Sequence, residues 1–209
     1  RVTLYVELLE RMTLQYCSLD RKDRFLGKLR WFWTSNILKI QNLEMENGIS
    51  NKVNPQEATK TIGIVGAGHI AQAVARHAAK AGYKVTISSR KKPVELADLG
   101  SSLGDEVTAG TTNEAVQADL VLIAVHFDQI PDAVKDIDWK GRTVIDTSNA
   151  IVFPDFKPKD FGGKTSSRVN TSLFPGASLV KAFNTLPAAI LASDPNVDKG
   201  RRVIFVSGD

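Results

Sequence analysis

The chain has 209 residues, enough for one domain with a buried core plus an appendage. Hydrophobic residues make up 43 % and charged residues 24 %, as in ordinary globular domains, and the single cysteine, Cys17, rules out an internal disulfide and fits a reducing, cytoplasmic compartment. No run approaches the roughly 18–20 apolar residues of a membrane span; the net charge of +4 lies mostly in residues 1–60 (ten basic against seven acidic), and no dense basic stripe marks a nucleic-acid binder.

Residues 1–44 differ from the rest. Leu4, Leu8, Leu9, Met12 and Tyr16 stand at helical spacing, followed by a mixed basic stretch and Trp31-Phe32-Trp33. Two readings stay open: a membrane-surface or partner-binding helix, or a weakly structured N-terminal extension upstream of a natural start at Met45. The parts of a secretory signal do not line up here. Residues 45–60 are polar, carry Asn47-Gly48 and Asn54-Pro55, and read as a linker to a domain over 61–209.

From Thr61 the pattern alternates between strands and helices. Thr61–Val65 is a short β-rich run. Gly68–Ala81 is Ala-rich, with Ile70, Val74 and Ala78 on one face and Gly82 placed to stop a helix. Lys84–Ser88 is a second strand. Pro93–Leu99 is a short helix with proline in its first turn, Val107-Thr108 a short strand, and Thr111–Gln117 a helix entered through a Thr or Asn cap. Leu120–Val125 is an uninterrupted apolar run, as expected of a central parallel strand covered on both faces. Pro131–Val134 suits a helix, Thr143–Asp146 a strand, and residues 151–167 a long loop. Leu179–Phe183 and Arg202–Val206 are further strands. The alternation implies a doubly wound, parallel α/β sheet. The chain stops at Asp209 directly after a strand, so a covering helix and a later substrate or dimerisation element are expected beyond it: the domain reads as truncated at the C-terminus.

Gly66-Ala67-Gly68-His69-Ile70-Ala71 follows the first strand and opens the first helix. The pattern is G-x-G-x-x-A, the phosphate loop of a Rossmann dinucleotide site. Gly66 permits the tight turn, Gly68 lets a pyrophosphate approach the backbone, and Ala71 allows close helix–sheet packing. The helix N-terminus offers free N–H groups to phosphates. His69 contacts a phosphate, faces the substrate, or contributes only its backbone; Ile70 follows it in the cofactor-binding loop.

An NAD site places Asp or Glu at the end of the second strand. This chain has Ser88-Ser89-Arg90-Lys91-Lys92, with no carboxylate until Glu95. Arg90 can pair with a 2′-phosphate through its planar fork, two hydroxyls can donate to it, and Lys91 or Lys92 adds charge. The expected cofactor is therefore NADP(H). The ends of the fourth and fifth strands, Ala124-Val125-His126-Phe127 and Asp146-Thr147-Ser148-Asn149-Ala150, border such a cofactor in this architecture. Small residues at Ala124 and Thr147 leave room for the nicotinamide riboside. Asn149 can hold the carboxamide or a polar group of a substrate. His126 is either a general acid or a loop histidine that caps the next helix. Histidines at 69, 77 and 126 and a remote cysteine make no metal site; His77 reads as structural or exposed.

Residues 63–209 resemble the coenzyme F420-dependent NADP oxidoreductases. The matching segments are the Gly66–Ala71 loop, Ile87-Ser88-Ser89-Arg90, Ala124-Val125, Ile145–Asn149, Gly162–Ser167, Val180-Lys181-Ala182-Phe183-Asn184-Thr185-Leu186 and Arg201–Asp209. The resemblance implies NADPH at Gly66–Ala71 and Ser88–Arg90. It also implies a second redox partner, coenzyme F420 (a deazaflavin), a flavin or another small acceptor, near Asn149 and Asn184-Thr185. Thr185 thereby joins His126 and Asn149 as a catalytic candidate. Hydride transfer between stacked rings needs alignment more than an acid. His126 and Ala150 stand where the family often has proline. The expected partners are a small-molecule redox substrate and, as an open possibility, a second copy in a homodimer. An NADP(H)-sensing module without turnover is the alternative function.

Overall fold

The run of β-branched residues in Thr61–Val65 (β2) pairs in parallel with Lys84–Ser88 (β3) on one side and Leu120–Ile123 (β5) on the other. The computed structural model describes residues 15–18, 60–197 and 200–208, all within one compact unit; residues 1–14 and most of the 45–60 linker, with Trp31-Phe32-Trp33, lie outside the described residues. Tyr16, read as part of an amphipathic helix, lies instead on strand Gln15–Ser18 (β1).

The remaining strands of the main sheet are Val107–Ala109 (β4), Thr143–Asp146 (β6), Ser178–Lys181 (β9) and Val203–Gly208 (β12). Their order is β1-β12-β9-β6-β5-β2-β3-β4. The six strands from β4 to β9 run parallel, whereas β12 is antiparallel to β9 and parallel to β1. From β2 the chain winds outward through β3 and β4, then returns to β5 and winds the other way. This is the doubly wound order, and its reversal falls between β2 and β5.

Each face of the sheet has its own core. One is built on Ile62, Ile64, Val85, Ile87, Leu122, Ile145 and Val180 under helix His69–Lys80 (α1) and helix Ala188–Ala192 (α6). The small Ala71, Ala75 and Ala78 are fully buried, which lets α1 lie close to the strands. The other core joins Val65, Val121, Ile123 and Val144 to Trp139 and Phe174, whose rings meet edge-on at 5.0 Å. Gly82, at φ +85°, ends α1 as its position in the sequence suggests.

Several boundaries differ from the sequence reading. Helix Pro93–Leu103 (α2) runs past Leu99 to a stop at Gly104, φ +142°. Helix Thr112–Ala115 (α3) is shorter than expected, although Thr111 does cap it, its hydroxyl accepting from Glu114 N. Phe127–Gln129 forms a 3₁₀ turn ahead of helix Ile130–Val134 (α4). The expected loop over 151–167 contains a small hairpin of Ile151–Val152 (β7) and Lys157–Pro158 (β8), and its end opens helix Ser166–Asn170 (α5) behind a Thr165 cap. Asn196–Val197 (β10) and Gly200–Arg201 (β11) make a second small antiparallel pair. Among the described residues no helix is long and apolar enough to cross a membrane.

Candidate functional site

Where the winding reverses, the loop after β2 meets the end of β5. The Gly66 N–H donates to the Ser88 carbonyl (2.9 Å) and the Ala124 N–H to the Val65 carbonyl (2.8 Å). Gly66 sits at φ +120°, and a Cβ there would lie 2.3 Å from the Ala124 carbonyl oxygen. Gly68 differs: its φ of −74° suits any residue, and among the described residues nothing beyond its immediate chain neighbours and its own helix backbone lies within 4 Å of where its Cβ would be. It caps α1 without a side-chain hydrogen bond, and the first turn carries no acid. The first bond into the helix is Gln72 N–H to the Gly68 carbonyl (3.0 Å), so the N–H groups of His69, Ile70 and Ala71 lead out of the helix end. The Gln72 amide also braces the loop by donating to the Ala67 carbonyl (2.9 Å). No motif in the sequence marks Gln72 for this task. The His69 side chain is exposed, and Ile70 is half-buried against the α1-side core.

At the end of β3, Ser88 is fully buried and its hydroxyl donates to the Ile64 carbonyl (3.0 Å). Parallel pairing puts Ser88 beside Val65, with its side chain inside the sheet core. Ser89, Arg90 and Lys91 come next. The Ser89 hydroxyl accepts from Lys91 N–H (3.0 Å), and the Arg90 guanidinium is exposed with no protein partner among the described residues. These three line one side of a cleft of about 430 Å³, with Ala67, Leu96 and Leu99 as its apolar wall. Glu95, the nearest downstream acid, accepts from the Lys92 N–H (2.9 Å) and is engaged in starting α2.

The ends of β5, β6 and β9 complete the rim. Thr147 ties β6 to β5, both its N–H and its hydroxyl donating to the Ile123 carbonyl (3.1 Å each). His126 is exposed; its backbone carbonyl accepts from Gln129 N–H, while its ring stands edge-on to Phe153 at 6.2 Å. The cap at that turn is therefore made by backbone, not by the imidazole. Asn149 and Asn184 face each other: Asn149 Nδ2 donates to the Asn184 carbonyl (2.8 Å), and Asn184 Nδ2 donates to Asn149 Oδ1 (3.2 Å). Thr185 is exposed just beyond. No group of His, Cys, Asp and Glu suited to a metal ion occurs among the described residues. His77 proves structural: it is buried, and its Nε2 bonds the Leu191 carbonyl at 2.8 Å.

A doubly wound α/β domain with a glycine-lined turn at its reversal point is a Rossmann domain. A family model described as NADP oxidoreductase, coenzyme F420-dependent, matches residues 61–150. A hypothetical protein of Sinorhizobium meliloti, known from its crystal structure, is 44 % identical, with a TM-score of 0.68 and coverage of 74 % of this chain and 76 % of that one. A candidate F420-dependent NADP-reductase from Arthrobacter sp. FB24 shares the fold at 22 % identity, with a TM-score of 0.59 and coverage of 73 % and 74 %. The rat metalloreductase STEAP3 is 31 % identical over 159 residues, which is 74 % of this chain and 30 % of that protein, so the chain spans under a third of that relative. The chain belongs to the coenzyme F420-dependent NADP oxidoreductases, a family of NADP-dependent oxidoreductases.

Proposed function

We propose that this chain binds NADP(H) at the β2–β5 crevice and serves hydride transfer between the nicotinamide and a second redox partner, with coenzyme F420, a flavin or another small acceptor as the candidates. The observation that carries this reading is the contrast between the two loop glycines. Gly66 is required by the fold, because Ala124 leaves no room for a side chain. Nothing among the described residues requires Gly68: its dihedrals are ordinary and the space before it is open. A pyrophosphate brought against that backbone and the first-turn N–H groups of α1 supplies the missing reason.

The residues present fit the rest of an NADP(H) molecule. The apolar wall of Ala67, Leu96 and Leu99 suits an adenine ring. Arg90, exposed and without a protein partner among the described residues, offers its fork to a 2′-phosphate; Ser89 and Lys91 stand beside it. The Ser88 hydroxyl is already held by the Ile64 carbonyl, which favours Ser89 over Ser88 for that contact. When bound, the dinucleotide supplies a hydride donor or acceptor. Thr147 and Ala124 keep the crevice wall low, and the Asn149–Asn184 pair presents amides to a carboxamide. His126 and Thr185 are exposed at the same strand ends, where they can orient the second partner. The cytoplasmic placement rests on the single cysteine.

The test is turnover. Purified chain is mixed with NADPH and, in separate reactions, coenzyme F420, a flavin and small carbonyl acceptors, and NADPH oxidation is followed by absorbance. Oxidation above background with any one of them supports the enzyme. Tight NADPH binding with no oxidation across the panel sinks the enzyme reading and leaves an NADP(H)-binding module.

A further inference from the structure

Immediately before Asn149 and Asn184 on their two strands lies a buried ionic cluster. Asp146 ends β6 and Lys181 ends β9, paired in register. Asp146 is fully buried, and the Lys181 side chain is 11 % exposed. The carboxylate accepts from Ser148 N–H (2.8 Å), Asn170 Nδ2 (2.9 Å) and Lys181 Nζ (3.0 Å), and the ammonium also reaches the Ser148 hydroxyl at 3.4 Å. Every partner is polar and close. Even so, taking both charges out of water offsets most of their attraction, and an apolar pair of similar shape is often as stable. Stability alone is therefore a poor reason for this cluster.

Its location supplies a better one. Ser148, held twice, directly precedes Asn149. On the other strand, Phe183 stands between Lys181 and Asn184 at φ +60°, fully buried. A non-glycine residue there is strained and persists only where its surroundings fix it. Lys181 fixes one end of that turn and the buried Phe183 ring its middle. Both turns are thus held from within, and their outer residues meet in the Asn149–Asn184 pair.

We infer that the Lys181–Asp146 ion pair is a positioning device, which sets the Asn149–Asn184 amide pair in place to receive the nicotinamide end of the dinucleotide. This rests on the cofactor reading above. Neither charged group need touch the ligand. The device governs the nicotinamide half of the site and leaves the adenosine half, at Gly68 and Arg90, alone.

The experiment compares two ligands by calorimetry on the full chain. NADPH spans both halves; adenosine 2′,5′-bisphosphate fills only the adenosine half. The variants are D146N/K181M, which removes both charges at nearly constant shape, and D146N alone, with folding checked by circular dichroism. The expected result is a loss of NADPH affinity of about tenfold or more, with bisphosphate affinity within about twofold of wild type. Equal losses for both ligands, or no loss for NADPH, overturn the inference. Unfolding of both variants does so too, because it assigns the cluster to stability. If wild-type chain binds neither ligand, the cofactor reading itself fails and takes the positioning role with it.

Discussion

The Ala124 carbonyl oxygen stands 2.3 Å from the point a Cβ on Gly66 would occupy, so the loop leaving β2 is held against the end of β5 with no space for a side chain. Gly68, two residues on, faces open space. Alanine at the two positions should therefore have opposite consequences. G66A meets both the clash and a left-handed backbone, and should lose about 1–3 kcal/mol from dihedral strain alone. G68A should lose less than about 1 kcal/mol, the difference between glycine and alanine at a helix cap, yet bind NADPH much more weakly. Chemical denaturation and NADPH titration of the two variants check this pair. An unstable G68A, or one that binds as wild type does, would remove the argument that a ligand is what requires this glycine.

A third glycine reports on packing alone. Gly63, in the middle of β2, would carry a Cβ only 1.6 Å from the Ala115 carbonyl oxygen, because the α3 backbone crosses the strand there. Backbone cannot yield as a side-chain tip does. G63A should cost about 3 kcal/mol or more and give little folded protein. Soluble yield and a urea midpoint measure it, and a midpoint near that of wild type contradicts the close approach.

These glycines show what the sequence makes legible. The spacing of Gly66, Gly68 and Ala71 between a strand and a helix is local, and so is Arg90 in place of an acid at the end of β3. Both can be read from a few adjacent residues. Gly63 cannot, since its reason is the backbone of Ala115, which only the folded chain brings near. The same holds for Asp146, Asn170 and Lys181. Nothing in the neighbourhood of each residue tells which register will pair β6 with β9. The antiparallel direction of β12 is also silent, since an apolar run reads alike in either direction. Nor do adjacent residues show that Ser88 is the buried one of two neighbouring serines, because strand phase decides which faces the core. The Thr165 cap of α5 was within reach, as a threonine followed by a polar helical turn.

His77 gives a pH-dependent term in stability. Burial holds its pKa below the ordinary 6.5; the Leu191 carbonyl pulls the other way, and the smaller effects of Lys80, Arg202 and Arg76 add to the lowering. The neutral ring is thus the form the folded state prefers, and the unfolded chain takes up the proton first. The contribution is complete above about pH 6.5 and is lost as pH falls towards the depressed folded value. The wild-type thermal midpoint should therefore drop between about pH 7.5 and about pH 5 by more than that of H77Q. Parallel profiles for the two proteins would mean that His77 titrates alike in both states.

Arg90 bears most directly on the central claim, that this crevice holds NADP(H). Wild-type chain and R90A are titrated with NADPH and with NADH by calorimetry. A charge-assisted contact to a 2′-phosphate contributes about 1.5–3 kcal/mol, or about ten- to a hundredfold in Kd. The expected result is a wild-type preference for NADPH that R90A loses, with NADH affinity changed by no more than about twofold. Equal weakening of both nucleotides, or a wild-type chain that does not distinguish them, would contradict the claim.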